Sequence, residues 1–247
     1  MRPRFLYALS TLLVSMLACG LPSAAETTAM PLPPTPAFDT QVPAPPAAAQ
    51  PAPSFRDDFD GALAAGWQWL GADPTHWNLT STPGHLRIVI QPSNINDGQV
   101  RNFLVREAPQ GNFEIGTSVR FTPASNFQLA GLLVYQDQGN AMQFGPAYAP
   151  CAGGSAGQCV YFDSFQGGTF GAGNYATYTG GGSPAYLRLR RAGTTYTASF
   201  SADGSNWKEI GSHQSSITPR YVGLVGVQGY NGEAPADFDY FTLEQFP

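Results

Sequence analysis

Polarity alternates residue by residue along several stretches of this chain, and a period of two commits them to β-strands. In residues 113–121 the side chains of Phe113, Ile115, Val119 and Phe121 fall on one face, with Glu114, Ser118 and Arg120 on the other. Residues 185–191 set Leu187 and Leu189 against Arg188 and Arg190. Residues 195–200 set Tyr196, Ala198 and Phe200 against Thr195, Thr197 and Ser199. Arg191-Ala192-Gly193 and the turn Asp203-Gly204 punctuate these runs, so three strands are expected to follow one another as hairpins. Further strands fit 86–90, 101–106, 129–136, 142–144, 161–165, 221–227 and 236–245. No stretch carries a helical period of useful length, and no internal repeat is visible. The pattern predicts an all-β fold, a two-sheet antiparallel β-sandwich of jelly-roll type, with a barrel as the alternative.

The strand pattern occupies 54–247. Upstream of it, residues 21–53 hold ten prolines and nine alanines with almost no large apolar side chains. Such a segment buries too little surface to offset its ordering entropy, and reads as a polyproline-like or disordered spacer. Ahead of the spacer stand Arg2 and Arg4, the apolar run 5–17, and Met16-Leu17-Ala18-Cys19-Gly20. A transmembrane helix needs about 20 apolar residues, so this run is too short to span and reads as a bacterial lipoprotein signal peptide over 1–18. The mature chain would then begin at a lipidated Cys19, the first residue of a linker over 19–53. Ser23-Ala24-Ala25 offers ordinary signal peptidase a second cut, which would leave a secreted protein. On either cut the protein is exported. The lipid alone would hold it to the membrane, at the cell surface or in the periplasm.

Cysteine arithmetic agrees with export. Cys151 and Cys159 sit eight positions apart, a ring that an oxidising compartment would close as a disulfide. Two free thiols are the competing reading. A bridge over so short a loop constrains local structure more than it stabilises a fold. Within 54–247, ten Arg and Lys face fifteen Asp and Glu, and Lys208 is the one lysine. No basic stripe exists, which argues against nucleic acid and anionic head groups as partners.

Several motifs carry a family resemblance. The opening Phe55-Arg56-Asp57-Asp58-Phe59-Asp60-Gly61, then Trp67-Gln68-Trp69, Asp73-Pro74-Thr75-His76-Trp77-Asn78-Leu79 and Pro83-Gly84-His85-Leu86-Arg87-Ile88 come first. Ala130-Gly131-Leu132-Leu133-Val134-Tyr135-Gln136-Asp137 and Tyr186-Leu187-Arg188-Leu189-Arg190 follow, the latter leading to Ser201-Ala202-Asp203-Gly204-Ser205-Asn206-Trp207. Ala236-Asp237-Phe238-Asp239-Tyr240-Phe241 closes the series. In this order they resemble the concanavalin A-like sandwich at the C-terminus of family 43 β-xylosidases, over essentially all of 54–247. The resemblance implies that fold. It implies no catalysis here, because in that family the catalytic machinery sits in a separate five-bladed propeller, which this sequence does not show. Residues 146–184 depart from the family pattern.

The residues themselves name no catalyst. A glycosidase needs two carboxylates facing one another at about 5–10 Å. Glu107, Glu114, Glu209, Glu233 and Glu244 are isolated, and the alternating Asp237 and Asp239 belong to the closing motif. Ser155, in Gly153-Gly154-Ser155-Ala156-Gly157, lacks the strand and helix that a nucleophile elbow requires. His76, His85 and His213 show neither metal-ligand nor triad spacing. No cofactor is required on this reading. Asp58 and Asp239 lie on terminal strands that such sandwiches pair, and would suit a structural Ca²⁺; the alternative is two solvated edge acids.

Sugar recognition rests on aromatic faces and hydrogen-bonding side chains. Tyr135, Gln136, Asp137, Gln143 and Tyr148 on two strands, with Tyr230 and Asn231 in a neighbouring loop, are the candidates. Trp67, Trp69 and Trp77 fit the core better. The expected function is a surface-tethered, lectin-like module that binds a polysaccharide or other glycan at the cell envelope without cleaving it. A structural lipoprotein that meets an envelope protein partner is the alternative, with a hydrolase or lyase behind both.

Overall fold

The structure is a computed structural model that describes residues 54–151, 156–170, 175–179 and 183–247. In the first half the strands are β1 (Ser54–Asp57), β2 (Gln68–Leu70), β3 (Trp77–Asn78), β4 (Leu86–Val89), β5 (Phe103–Glu107), β6 (Asn112–Arg120), β7 (Leu129–Asp137) and β8 (Asn140–Pro150). The second half adds β9 (Ala156–Gln166), β10 (Thr169–Phe170), β11 (Tyr175–Thr179), β12 (Ala185–Ala192), β13 (Thr195–Ser201), β14 (Lys208–Gln214), β15 (Tyr221–Val227) and β16 (Pro235–Phe246). A single 3₁₀ turn, Gly229–Asn231, is the one helical element among the described residues. The signal sequence, Cys19, the Pro/Ala linker, Ser155 and Gly180-Gly181-Gly182 lie outside the described residues.

The strands form two eight-stranded antiparallel sheets. The first runs β14-β13-β12-β6-β16-β4-β3, with β1 also on β16; the second runs β10-β9-β8-β7-β15-β5-β2, with β11 also on β9. This is the expected sandwich. The predicted hairpins are β12, β13 and β14, paired in sequence around Gly193 and Gly204. Their alternation turns Leu187, Leu189, Tyr196, Ala198 and Phe200 inward, each at most 2% exposed. The main core lies between the sheets, where Phe113, Ile115, Phe238 and Phe241 of the first meet Leu132, Phe144, Phe162 and Leu224 of the second.

The second sheet is buried on its other face as well. Phe103, Val105, Leu133, Val225 and Val227 form a separate apolar cluster there, capped by Ile95 from the segment between β4 and β5. A sheet covered on both sides needs apolar residues at every position. Leu129-Ala130-Gly131-Leu132-Leu133-Val134 and the wholly buried Tyr221–Val227 are such runs.

The opening and closing motifs are structural. Asp57, 6% exposed, accepts hydrogen bonds from the backbone of Phe59 at 2.9 Å and Ala64 at 2.9 Å, and from the indole of Trp67 at 2.8 Å. One buried carboxylate thereby ties the irregular segment after β1 to the edge of the core. Trp67 packs edge-on against Phe55 and Phe241, and Trp69 stacks on Trp77 at 4.6 Å, so these indoles belong to the core as expected. Asp237 accepts from Arg87 Nε and Nη2, each at 2.7 Å. A bulge leaves Asp239 opposite no residue of β6, which shifts the inward positions from Phe238 to Phe241.

Candidate functional site

On β8 and β9, alternation sends Met142, Phe144, Val160 and Phe162 into the core and turns Gln143, Tyr161, Asp163 and Phe165 to the outer face of the second sheet. Register sets Gln143 directly opposite Asp163. Three loops rise around them, bringing Asn94, Phe127 and Gln228 to the rim. The result is a pocket of about 140 Å³ with an aromatic lip and a polar floor.

The floor is unusual. Gln143 is 7% exposed and Asp163 only 5%. The Gln143 amide donates from Nε2 to Asp163 Oδ2 at 2.8 Å, which satisfies one oxygen of the carboxyl. Gln143 Oε1 and Asp163 Oδ1 are among the buried polar atoms that find no hydrogen-bond partner within the described residues, although the Tyr161 hydroxyl acts on the same Asp163 carboxyl. Buried polar oxygens ordinarily find partners, so two orphans side by side mark a place where something else donates. Burial raises the Asp163 pKa to about 7, against the opposing pull of Gln143 and the Tyr161 hydroxyl. Burial, then the charge of Asp163, pushes the Tyr161 phenol up to about 12. Pairs with such displaced titrations concentrate at functional sites.

Phe127 and Tyr230, 51% and 47% exposed, are large apolar side chains left open to solvent. Their loops touch: Asn231 Nδ2 donates to the Asn126 carbonyl at 3.3 Å, and Gln128 Nε2 to the Gly232 carbonyl at 2.8 Å. The Tyr230 hydroxyl donates to Gln99 at 3.1 Å, tying in the segment that carries Asn94. The exposed aromatics therefore share one rim.

The expected site residues divide accordingly. Gln143 lies in the floor, and Tyr230 and Asn231 lie in the loop beside it. Tyr135 is on the same face but farther along β7, half-buried against the outer cluster. Gln136 accepts from the Thr218 amide at 2.6 Å, and Asp137 accepts from Gln136 and Asn140, so both are engaged at the strand end. Tyr148, five residues beyond Gln143 on one unbroken strand, faces the opposite way. Tyr161, Asp163, Phe165 and Phe127 were missed. A signal existed: Val160-Tyr161-Phe162-Asp163-Ser164-Phe165 places one acid inside an aromatic strand, where a carboxylate must have a reason.

The other concavities and acidic clusters offer less. A larger concavity of about 380 Å³ on the outer face of the first sheet is lined by Arg56, Glu114, Arg188 and Tyr240. Most of its charges are paired, Arg56 with Asp58 at 2.8 Å and Arg188 at 3.7 Å from Glu114, with Glu244 also on the lining. β1 and β16 do pair, as expected of the terminal strands. Asp58 is nevertheless engaged by Arg56, and Asp239 lies 3.8 Å from His85. Among the described residues no group of three or more His, Cys, Asp or Glu gathers as a metal site. His76 bridges Asp73 and Glu233, and His213 packs on Phe162. Cys151 and Cys159 are joined, with Cα atoms 5.9 Å apart beside the pocket's β8 and β9.

Residues 56–244 match the sequence model of the β-xylosidase C-terminal concanavalin A-like domain. Among solved structures, the family 43 glycoside hydrolase BlXynB of Bacillus licheniformis is 21% identical, with a TM-score of 0.69 over 77% of this chain and 39% of its own. A xylan β-1,4-xylosidase of Bacillus halodurans is 23% identical, with a TM-score of 0.65 over 83% of this chain and 41% of its own. A β-glucanase of Bacillus licheniformis is 12% identical, with a TM-score of 0.56 over 80% of this chain and 100% of its own. The chain thus spans about two fifths of the xylosidases it resembles, and at these identities the likeness speaks for the fold. No curated protein matches by sequence.

Proposed function

The chain belongs to the family of β-xylosidase C-terminal concanavalin A-like domains, and on that premise we propose that it is a non-catalytic glycan-binding module displayed outside the cell. One observation carries the reading: a buried amide and carboxyl present two unpartnered oxygens beneath an exposed aromatic lip. Sugar hydroxyls would donate to Gln143 Oε1 and Asp163 Oδ1, while an apolar ring face rests on Phe127. Relatives that include a xylan β-1,4-xylosidase make plant polysaccharides the first ligands to try. Affinity electrophoresis of the full chain through gels containing xylan, arabinoxylan, xyloglucan or β-glucan tests the reading. Retardation in at least one gel, relieved by Gln143→Ala, supports it; migration unchanged in all four contradicts it.

Display rests on Cys19 and the Pro/Ala linker, which together would hold the module away from a membrane by lipid alone. A structural Ca²⁺ at Asp58 and Asp239 is a separate proposal, supported by the pairing of β1 with β16. An ion there must displace Arg56 from Asp58. A rise in melting temperature on adding Ca²⁺, reversed by chelator, supports it, and an unchanged melt rules it out.

A further inference from the structure

The outer face of the second sheet is not an open groove. Ile95, 1% exposed, seals the part over β5, β7 and β15 by packing on Phe103, Val105, Leu133 and Val225. Among the described residues, the part over β8 and β9 stays open, lined by Asn94, Gln228 and Phe127. Its volume is about 140 Å³. Pockets for larger ligands begin near 300 Å³. One pyranose ring fits such a space, and the segment of Asn94 and Ile95 walls it on the side toward the outer cluster.

The lining also has a sign. Among the described residues that form it there is no Lys or Arg, and its one carboxyl group is that of Asp163. Burial penalises charge in this position, and a second carboxylate against Asp163 would be penalised again. A neutral ring with vicinal hydroxyls meets no such cost and supplies the donors that Gln143 and Asp163 lack. Specificity of this kind comes from what the pocket rejects as well as from what it accepts.

We infer that the pocket takes a single neutral sugar ring end-on, the terminal unit of a glycan, and rejects internal chain segments and uronic acids. The inference rests on the glycan-binding reading and sharpens it from a polysaccharide surface to a chain-end reader. A terminal ring can stand at the end of a main chain or at the tip of a side branch, and both present the same chemistry to the pocket.

Calorimetric titration of the full chain tests the inference. The ligands are the methyl glycosides of xylose, arabinose, glucose, galactose and mannose, methyl glucuronide, and linear and singly branched oligomers of whichever sugar binds. A neutral monoside should bind, and its oligomers of increasing length should bind within about threefold of it, far below the tenfold that 1.4 kcal/mol of added contact would give. Methyl glucuronide should bind at least about tenfold more weakly. The linear and branched arms then report which source of terminal ring is preferred. Asp163→Asn should weaken binding about tenfold or more. Phe127→Ala, at an exposed position that the fold tolerates, should weaken it roughly three- to tenfold. Affinity that climbs about tenfold with each added unit, equal binding of the glucuronide, or binding indifferent to Phe127→Ala overturns the chain-end reading and leaves glycan binding standing. Silence from every ligand overturns both.

Discussion

Asp163 destabilises the domain that carries it. A carboxyl whose folded pKa is raised to about 7, against an ordinary value near 3.9, takes up a proton on folding. Its contribution is therefore most favourable below about pH 4 and is lost as pH rises through about 7, to a total on the order of 2–4 kcal/mol. Asp163→Asn should melt several degrees above the parent at pH 8 and show little difference at pH 4, even as it loses ligand. Thermal melts across that range check the sign; a variant equally or less stable at pH 8 contradicts the assignment. A residue that weakens the fold while lining a pocket has the character of a functional one. Asp57 is the opposite case. It satisfies three donors, and Asp57→Ala leaves the Phe59 and Ala64 amides and the Trp67 indole without it. A loss of about 3–5 kcal/mol in denaturant unfolding is expected, with sugar binding at the remote pocket retained.

At the scale of strands, legibility followed solvent. β12 and β13 each keep one face at least partly open to solvent, and their alternation could be read with the turns that join them. β7 and β15 are buried on both faces, so their apolar runs announce strands but not which side meets what. The cover itself was illegible, because Ile95 sits in a turn-rich segment, Ser93-Asn94-Ile95-Asn96-Asp97-Gly98, that reads as a surface loop. Yet it packs into the outer cluster and brings its neighbour Asn94 to the pocket rim. Ile95→Ala should cost about 2–4 kcal/mol, far more than a loop position would. A loss under about 0.5 kcal/mol would mean that the outer cluster does not depend on it. The binding candidates were half legible for the same reason. Gln143 could be named from its strand, but Asp163, Tyr161 and Phe127 join it only through the pairing of β8 with β9 and the meeting of two loops.

At the scale of the whole molecule, a binding module gains from being held at a distance. A spacer such as residues 21–53, if polyproline-like at about 3.1 Å per residue, would reach roughly 100 Å. On this account Cys19→Ala should move the protein from the membrane fraction to the soluble one without changing its affinity for sugar. Continued membrane association would defeat the lipid anchor. The central claim is that the pocket over β8 and β9 binds a glycan. Calorimetric titration of the full chain with the oligosaccharide that retards it most, for the parent protein and Gln143→Ala side by side, tests that claim most directly. The account predicts one site per chain and an affinity reduced about tenfold or more in the variant. Equal affinity in the two proteins would place the sugar elsewhere and contradict it.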